Sequence, residues 1–184
     1  TTLFRSGWNR SAYTGVELGG RTVGIYGFGA IGREMAALCD GIGTDVRVYD
    51  PHKSAADFPA FVERADSLPE LFAASTAVSI HAPLTDETRH TVGMNELEAL
   101  GPDGLLINTA RGAIVDEQAL IEALEATVIA GARLDTFESE RPDETHPLFS
   151  RDDVLVTPHS GGNSGRALRQ MSTRATANVR TVYE

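Results

Sequence analysis

The stretch Thr22-Val23-Gly24-Ile25-Tyr26-Gly27-Phe28-Gly29-Ala30-Ile31-Gly32 constrains this chain more than any other. It reads as a buried strand, a glycine turn and a helix start. Gly27, Gly29 and Gly32 have the spacing G-x-G-x-x-G. In such a turn the first glycine allows the sharp reversal and the second lets backbone approach a diphosphate. The third lets the helix pack close to the strand. The helix start then offers free N–H groups and a partial positive charge to an anion. Three glycines are weak evidence alone, because the chain holds 18 of them. Their surroundings strengthen them. Ile31, Met35, Leu38, Cys39 and Ile42 form an apolar stripe that predicts an amphipathic helix, ended by Gly41 and Gly43. A second strand, Asp45-Val46-Arg47-Val48-Tyr49, closes at Asp50. A dinucleotide fold puts the carboxylate that binds the adenosine ribose there, about 20 residues after the glycines.

Strands and helices alternate onward from that unit. A weak strand is expected around Phe61-Val62-Glu63. Ser67-Leu68-Pro69-Glu70 is a capping box opening a short helix through Leu71, Phe72 and Ala73. Ala77-Val78-Ser79-Ile80 is a fourth strand, Met94 to Leu100 a helix, and Gly104-Leu105-Leu106-Ile107-Asn108 a fifth strand. Asp116 caps a helix carrying Leu120, Ile121 and Leu124. A sixth strand is expected over 128–134, an acidic irregular loop over 136–149, and a seventh strand at Val154-Leu155-Val156. A last helix starts near Asn163, with Leu168, Met171, Ala175, Val179 and Val182 at helical spacing. The fold expected is α/β: a doubly wound, mostly parallel seven-stranded Rossmann sheet with helices on both faces. Residues 21–162 would form the dinucleotide-binding domain. Residues 1–20 read as the tail of an earlier helix, with Leu3, Phe4 and Trp8, and a connecting loop. Residues 163–184 read as a helix leading away, as if the chain were cut from a longer one.

Charge narrows the partners. Sixteen basic against 26 acidic residues give a net charge of −10, which repels nucleic acid and anionic membrane surfaces. No apolar run has the length of a membrane span, and no leader peptide is visible. The one cysteine, Cys39, falls on an apolar helix stripe and reads as a buried thiol. Neither a disulfide framework nor a metal-ligand spacing appears, and a reducing, cytoplasmic compartment is expected.

Ligands of an open parallel sheet bind at the carboxyl ends of its strands. Five polar residues collect at that edge: Asp50, His81, Arg111, Asp135 and His159. Any one of them could be an ordinary loop residue, but five on one rim point to a site.

The chain resembles the D-isomer-specific 2-hydroxyacid dehydrogenases, among them phosphoglycerate, glyoxylate/hydroxypyruvate and formate dehydrogenases. The likeness covers nearly the whole chain. Beyond the glycine stretch it lies in His81-Ala82-Pro83-Leu84-Thr85, Asn108-Thr109-Ala110-Arg111-Gly112, Leu134-Asp135-Thr136-Phe137 and Thr157-Pro158-His159-Ser160-Gly161-Gly162. The resemblance implies an NAD-dependent enzyme that moves hydride between NAD(H) and a D-2-hydroxy acid or 2-keto acid. Arg111 would clamp the substrate carboxylate, whose two oxygens match a guanidinium fork. His159 would be the acid/base, paired with Glu140, which favours the charged imidazole. Glu138 competes for that pairing, because the family's Glu-Pro is here Glu140-Arg141-Pro142. Glu140 stands five residues after Asp135, as the family pattern requires. Glutamate at this place also argues against the formate dehydrogenase branch.

The cofactor would touch Gly27, Gly29, Ala30, Ile31, Gly32, Asp50, His81, Ala82, Pro83, Thr88, Thr109, Ala110, Arg111, Asp135, His159, Gly161 and Gly162. Asp135 would hold the nicotinamide carboxamide. For His81 a purely structural place is as good a reading. The resemblance further implies a homodimer through the cofactor domain. It also implies a second, smaller domain built from flanking segments, without which substrate turnover would be poor or nil. The alternative is a non-enzymatic NAD-dependent binding protein of the corepressor type on the same scaffold. A short-chain dehydrogenase, which would want a Tyr-x-x-x-Lys pair, is the poorer reading.

Overall fold

The computed structural model describes residues 15–183. The expectations for Leu3, Phe4 and Trp8 lie outside the described residues. β1 (Thr22–Tyr26), α1 (Ala30–Gly41), β2 (Asp45–Tyr49) and β3 (Val62–Arg64) form the first half. There follow α2 (Leu68–Ala73), β4 (Ala77–Ile80), α3 (Met94–Leu100), β5 (Leu105–Asn108), α4 (Glu117–Glu125), β6 (Gly131–Leu134), β7 (Val154–Val156) and α5 (Gly165–Tyr183). The strands make one seven-stranded sheet in the order β3-β2-β1-β4-β5-β6-β7, with every neighbouring pair parallel. The winding reverses between β1 and β4, and a doubly wound sheet opens a ligand crevice at such a point.

The sheet buries both faces over its centre. Side chains alternate along a strand, so Val23 and Ile25 of β1 pack with Val46, Val48, Ala36 and Cys39 on one face. Tyr26 faces the other side, with Val78, Ile80, Leu106 and Leu134 and with Leu71, Leu97 and Leu120 from α2, α3 and α4. Local signals set the helix starts. The Ser67 hydroxyl accepts from the Glu70 amide at 3.3 Å, and the Glu70 carboxylate reaches back to the Asp66 amide at 2.8 Å. Asp116 caps α4 through the Ala119 amide at 3.1 Å.

Three expectations need correction. The buried face of α1 is Gly32, Ala36 and Cys39, whereas Ile31, Leu38 and Ile42 are 69%, 66% and 57% exposed. A Cβ on Gly32 would stand 2.1 Å from the Gly27 carbonyl oxygen, so the helix lies too close to β1 for large side chains. The sixth strand begins at Gly131, not Val128. Thr127 turns left-handed at φ 55, and the Val128 amide closes α4 on the Ala123 carbonyl at 2.8 Å. The last helix begins at Gly165, with the Ser164 hydroxyl accepting from the Ala167 amide at 3.1 Å. Leu168, Met171 and Val179 of its stripe are exposed. No described helix is long and apolar enough to cross a membrane.

Candidate functional site

Each glycine of the turn has its own geometry. Gly27 adopts φ 97, and a Cβ there would lie 2.6 Å from the Ala82 amide nitrogen. Position 29 is open, with nothing within 4 Å of an added Cβ. No side chain caps the first turn of α1, and no acidic residue stands in it. Its leading N–H groups are therefore free, at the positive end of the helix dipole. An open glycine facing an uncapped helix start fits a diphosphate. Asp50 sits beside this turn: its Oδ2 accepts from the Phe28 amide at 2.8 Å and its Oδ1 from the His52 amide at 3.0 Å. Gly27, Asp50, His52, Ala82, Pro83 and Thr88 line one crevice. The Thr88 hydroxyl donates to the Pro83 carbonyl at 2.6 Å, so it shapes the wall of that crevice. His81 has its Nε2 2.9 Å from the Ser79 hydroxyl, and its amide donates to the Tyr26 carbonyl at 2.7 Å. Burial pushes its pKa down, which favours the neutral ring. These contacts fit a structural histidine.

The other end of the rim is built from the loops after β5, β6 and β7. Asn108, 1% exposed, folds the turn that presents Arg111. Its Nδ2 donates to the Arg111 carbonyl at 2.9 Å and its Oδ1 accepts from the Ala110 amide at 3.1 Å. The Arg111 guanidinium is exposed, and Nη1 donates to the Ala110 carbonyl at 2.7 Å. Gly112 is pressed against the next loop, where a Cβ would lie 1.9 Å from the Phe137 carbonyl carbon. Asp135 is buried. Its Oδ1 accepts from the Ser160 amide at 2.8 Å and from the Thr157 hydroxyl, and its Oδ2 from the Gly161 amide at 2.8 Å. Burial alone would raise this carboxyl; the Thr157, Ser160 and Gly161 hydrogen bonds and the nearby His159 together hold it below the usual carboxylate range. Three of about four acceptor positions are taken, leaving one for a ligand N–H.

His159 stands in the left-handed region at φ 50, with its amide on the Asp135 carbonyl at 2.8 Å. Its Nδ1 lies 3.0 Å from Glu140 Oε1. Glu138 instead meets His90 Nε2 at 2.8 Å, so geometry gives the His159 partner as Glu140. Asp135, Phe137, Glu140, Phe149, Pro158 and His159 line a cavity of about 310 Å³. Arg111 follows β5 and His159 follows β7, with only β6 between them. The two loops thus leave the same edge of the sheet two strands apart, and the described residues that line the His159 cavity do not include Arg111.

Sequence reasoning missed Asn108, Thr157 and Ser160, which hold the turn carrying Arg111 and the Asp135 carboxylate. A buried amide ending a strand just before a tight turn was the available signal for Asn108. Tyr49 and Lys53 have the Tyr-x-x-x-Lys spacing. Four-residue spacing brings two side chains into contact on a helix, and Tyr49 and Lys53 share none. Tyr49 ends β2, with its ring 5.9 Å from that of Tyr26. Among the described residues no group of three or more His, Cys, Asp and Glu could hold a metal ion.

The sequence profile described as the D-isomer specific 2-hydroxyacid dehydrogenase NAD binding domain matches residues 2–161. The D-3-phosphoglycerate dehydrogenase of Methanocaldococcus jannaschii is 34% identical over 183 residues, 98% of this chain and 34% of that one. The hydroxypyruvate reductase of Thermotoga maritima is 39% identical over 166 residues, 89% of this chain and 53% of that one. The NAD-complexed structure of a D-isomer specific 2-hydroxyacid dehydrogenase from Lactobacillus delbrueckii ssp. bulgaricus superposes with a TM-score of 0.86 at 30% identity, covering 96% of this chain and 57% of that one. The chain thus spans about a third to a half of the length of the relatives it matches.

Proposed function

The chain belongs to the D-isomer-specific 2-hydroxyacid dehydrogenase family as its NAD-binding domain, and from that premise we propose that it serves hydride transfer between NAD(H) and a D-2-hydroxy acid or its 2-keto acid. The carrying observation is the 3.0 Å contact of His159 Nδ1 with Glu140, at a cavity both residues line. The Nδ1 proton donated to the carboxylate fixes the ring and leaves Nε2 for the substrate oxygen. A charged imidazole beside a carboxylate can give a proton to a carbonyl oxygen and recover it in the reverse direction. Arg111 binds the substrate carboxylate and orients the carbonyl, its guanidinium being exposed and bonded to the adjacent Ala110 carbonyl. Nicotinamide, when bound, supplies or accepts the hydride.

Gly27, Gly29, Ala30, Ile31 and Gly32 hold the diphosphate, Asp50 the adenosine ribose, and Ala82, Pro83 and Thr88 the crevice wall between them. Thr109, Ala110, Gly161 and Gly162 border the nicotinamide, and the free acceptor position of Asp135 takes its carboxamide. Residues 21–162 are the cofactor domain. A homodimer through this domain would cover the exposed Leu38 and Ile42. The corepressor reading finds no support among relatives named as dehydrogenases and reductases. Calorimetry of this chain with NAD, and nicotinamide absorbance with a panel of 2-keto acids measured with the substrate-binding part present, test the proposal. Binding with micromolar-range affinity and turnover lowered by about 10²–10⁴-fold in H159N are expected. Turnover undiminished in that variant overturns it.

A further inference from the structure

The loop that carries Glu140 is held by three histidine–glutamate pairs. His159 meets Glu140 at 3.0 Å, His90 meets Glu138 at 2.8 Å, and His146 meets Glu117 at 2.9 Å. These pairs differ in exposure. The His159 and Glu140 side chains are 46% and 56% exposed, whereas His146 and Glu117 are 14% and 20%. An exposed pair is screened and too weak to order a loop by itself. Arg141, the next residue after Glu140, is also left-handed at φ 68, a backbone state that persists only where its surroundings hold it. The order of Glu140 must therefore come from elsewhere.

Glu117 supplies it from both sides. Its Oε2 accepts from the Glu138 amide at 3.1 Å and its Oε1 takes the His146 Nε2 proton at 2.9 Å. The loop is thus gripped before and after Glu140 by one carboxylate. The His146 ring is itself wedged 5.6 Å from Phe137 and 5.4 Å from Phe149, two walls of the cavity. Glu117 opens α4 three residues after the short turn Gly112–Ile114 that follows Arg111. One short segment therefore presents the guanidinium and anchors the loop of the proposed acid/base pair.

We propose that Glu117, acting through His146 and the Glu138 amide, with His90 as a second tie, is a positioning residue that keeps Glu140 on His159. This rests on the reading of His159 and Glu140 as the acid/base pair. The test compares E117A, H146F and H90N with E140Q. Phenylalanine at 146 keeps the ring packing and removes the hydrogen bond, and asparagine at 90 tolerates the left-handed backbone found there at φ 53. Amide exchange of residues 138–141 and the NMR signal of the hydrogen-bonded His159 Nδ1 proton are followed, with NAD affinity by calorimetry. E117A and H146F should speed exchange in that loop at least tenfold and broaden the His159 signal. H90N should do so more weakly, and NAD affinity should stay within twofold. With the substrate-binding part present, turnover should fall at least fivefold through kcat with KM for the dinucleotide unchanged. Loop exchange and the His159 signal unchanged in E117A and H146F would overturn the proposal. So would faster exchange across the whole sheet, which would make these residues general supports of the fold. E140Q judges the underlying reading separately: if it leaves both the His159 signal and turnover intact, the acid/base pair itself is wrong.

Discussion

His159 gives its Nδ1 to Glu140 at 3.0 Å from a backbone held at φ 50. The unusual backbone has a local cause. The His159 amide is bonded to the Asp135 carbonyl, and the Asp135 carboxylate holds the amides of Ser160 and Gly161 that follow. The left-handed step costs a non-glycine residue ~1–2 kcal/mol, and the buried carboxylate with its three donors offsets it. Imidazole placement and the proposed carboxamide site are thus one piece of structure.

H159N should separate binding from chemistry. Asparagine accepts the left-handed backbone, so folding and NAD affinity should survive. A positioned general acid contributes typically 10²–10⁴-fold, and turnover should drop by about that factor. E140Q should lose less, since an acceptor remains for Nδ1. Steady-state rates beside dinucleotide calorimetry decide it: equal losses in both quantities would show that the ring serves binding, not proton transfer.

Two glycine substitutions should behave oppositely. A methyl at position 29 meets nothing within 4 Å, whereas one at position 112 falls 1.9 Å from the Phe137 carbonyl carbon. G112A must displace backbone and should cost about 3 kcal/mol or more, which lowers Tm by about 10 °C. G29A should leave Tm within ~2 °C and weaken NAD binding about tenfold or more, because the methyl occupies the space of the diphosphate. Thermal melts and calorimetry on both variants check this. A normal NAD affinity in G29A would remove the diphosphate from that place.

The glycine stretch, the strand ends and the acid closing β2 were legible because each is a local constraint written in consecutive residues. The buried face of α1 was not. Hydrophobic spacing selects the largest apolar residues, but close approach to β1 selects Gly32 and Ala36. Ile31, Leu38 and Ile42 were therefore assigned to the wrong side. In the site, Arg111, Glu140 and His159 lie in recognisable motifs. Their supports do not: His90 and Glu138 are 48 residues apart, and Glu117 and His146 are 29. Such pairs arise from the order of β5, β6 and β7 and have no periodicity to betray them.

Asp50 should set the dinucleotide preference. Its carboxylate is fixed by the Phe28 and His52 amides at the crevice wall. A 2′-phosphate placed there would meet a like charge, which costs several kcal/mol. NAD should bind at least about 100-fold tighter than NADP. D50N keeps one acceptor and removes the charge, so the ratio should fall about tenfold or more, with most of the change in NADP affinity. Comparable affinities in the unmodified chain would show that His52 and Lys53 outweigh the carboxylate.

Acid should weaken the fold in two separate steps. Burial depresses the His81 pKa, so the folded state refuses a proton that the unfolded chain takes. Above the unfolded value of about 6.5 both states are neutral and stability is full; it declines as pH falls below that value. The Asp135 carboxyl is also depressed, burial being outweighed by Thr157, Ser160, Gly161 and His159. Its contribution is complete above about 3.9 and is lost as pH falls further, through the folded value. Urea midpoints measured from pH 8 to pH 3 should show both declines. H81Q, which can still bond the Ser79 hydroxyl, should lack the first. D135N should be weaker at pH 7 and flatter below pH 4. If H81Q and the parent chain keep the same slope between pH 6.5 and pH 5, the first step belongs to another histidine, and His81 is not held neutral by the fold.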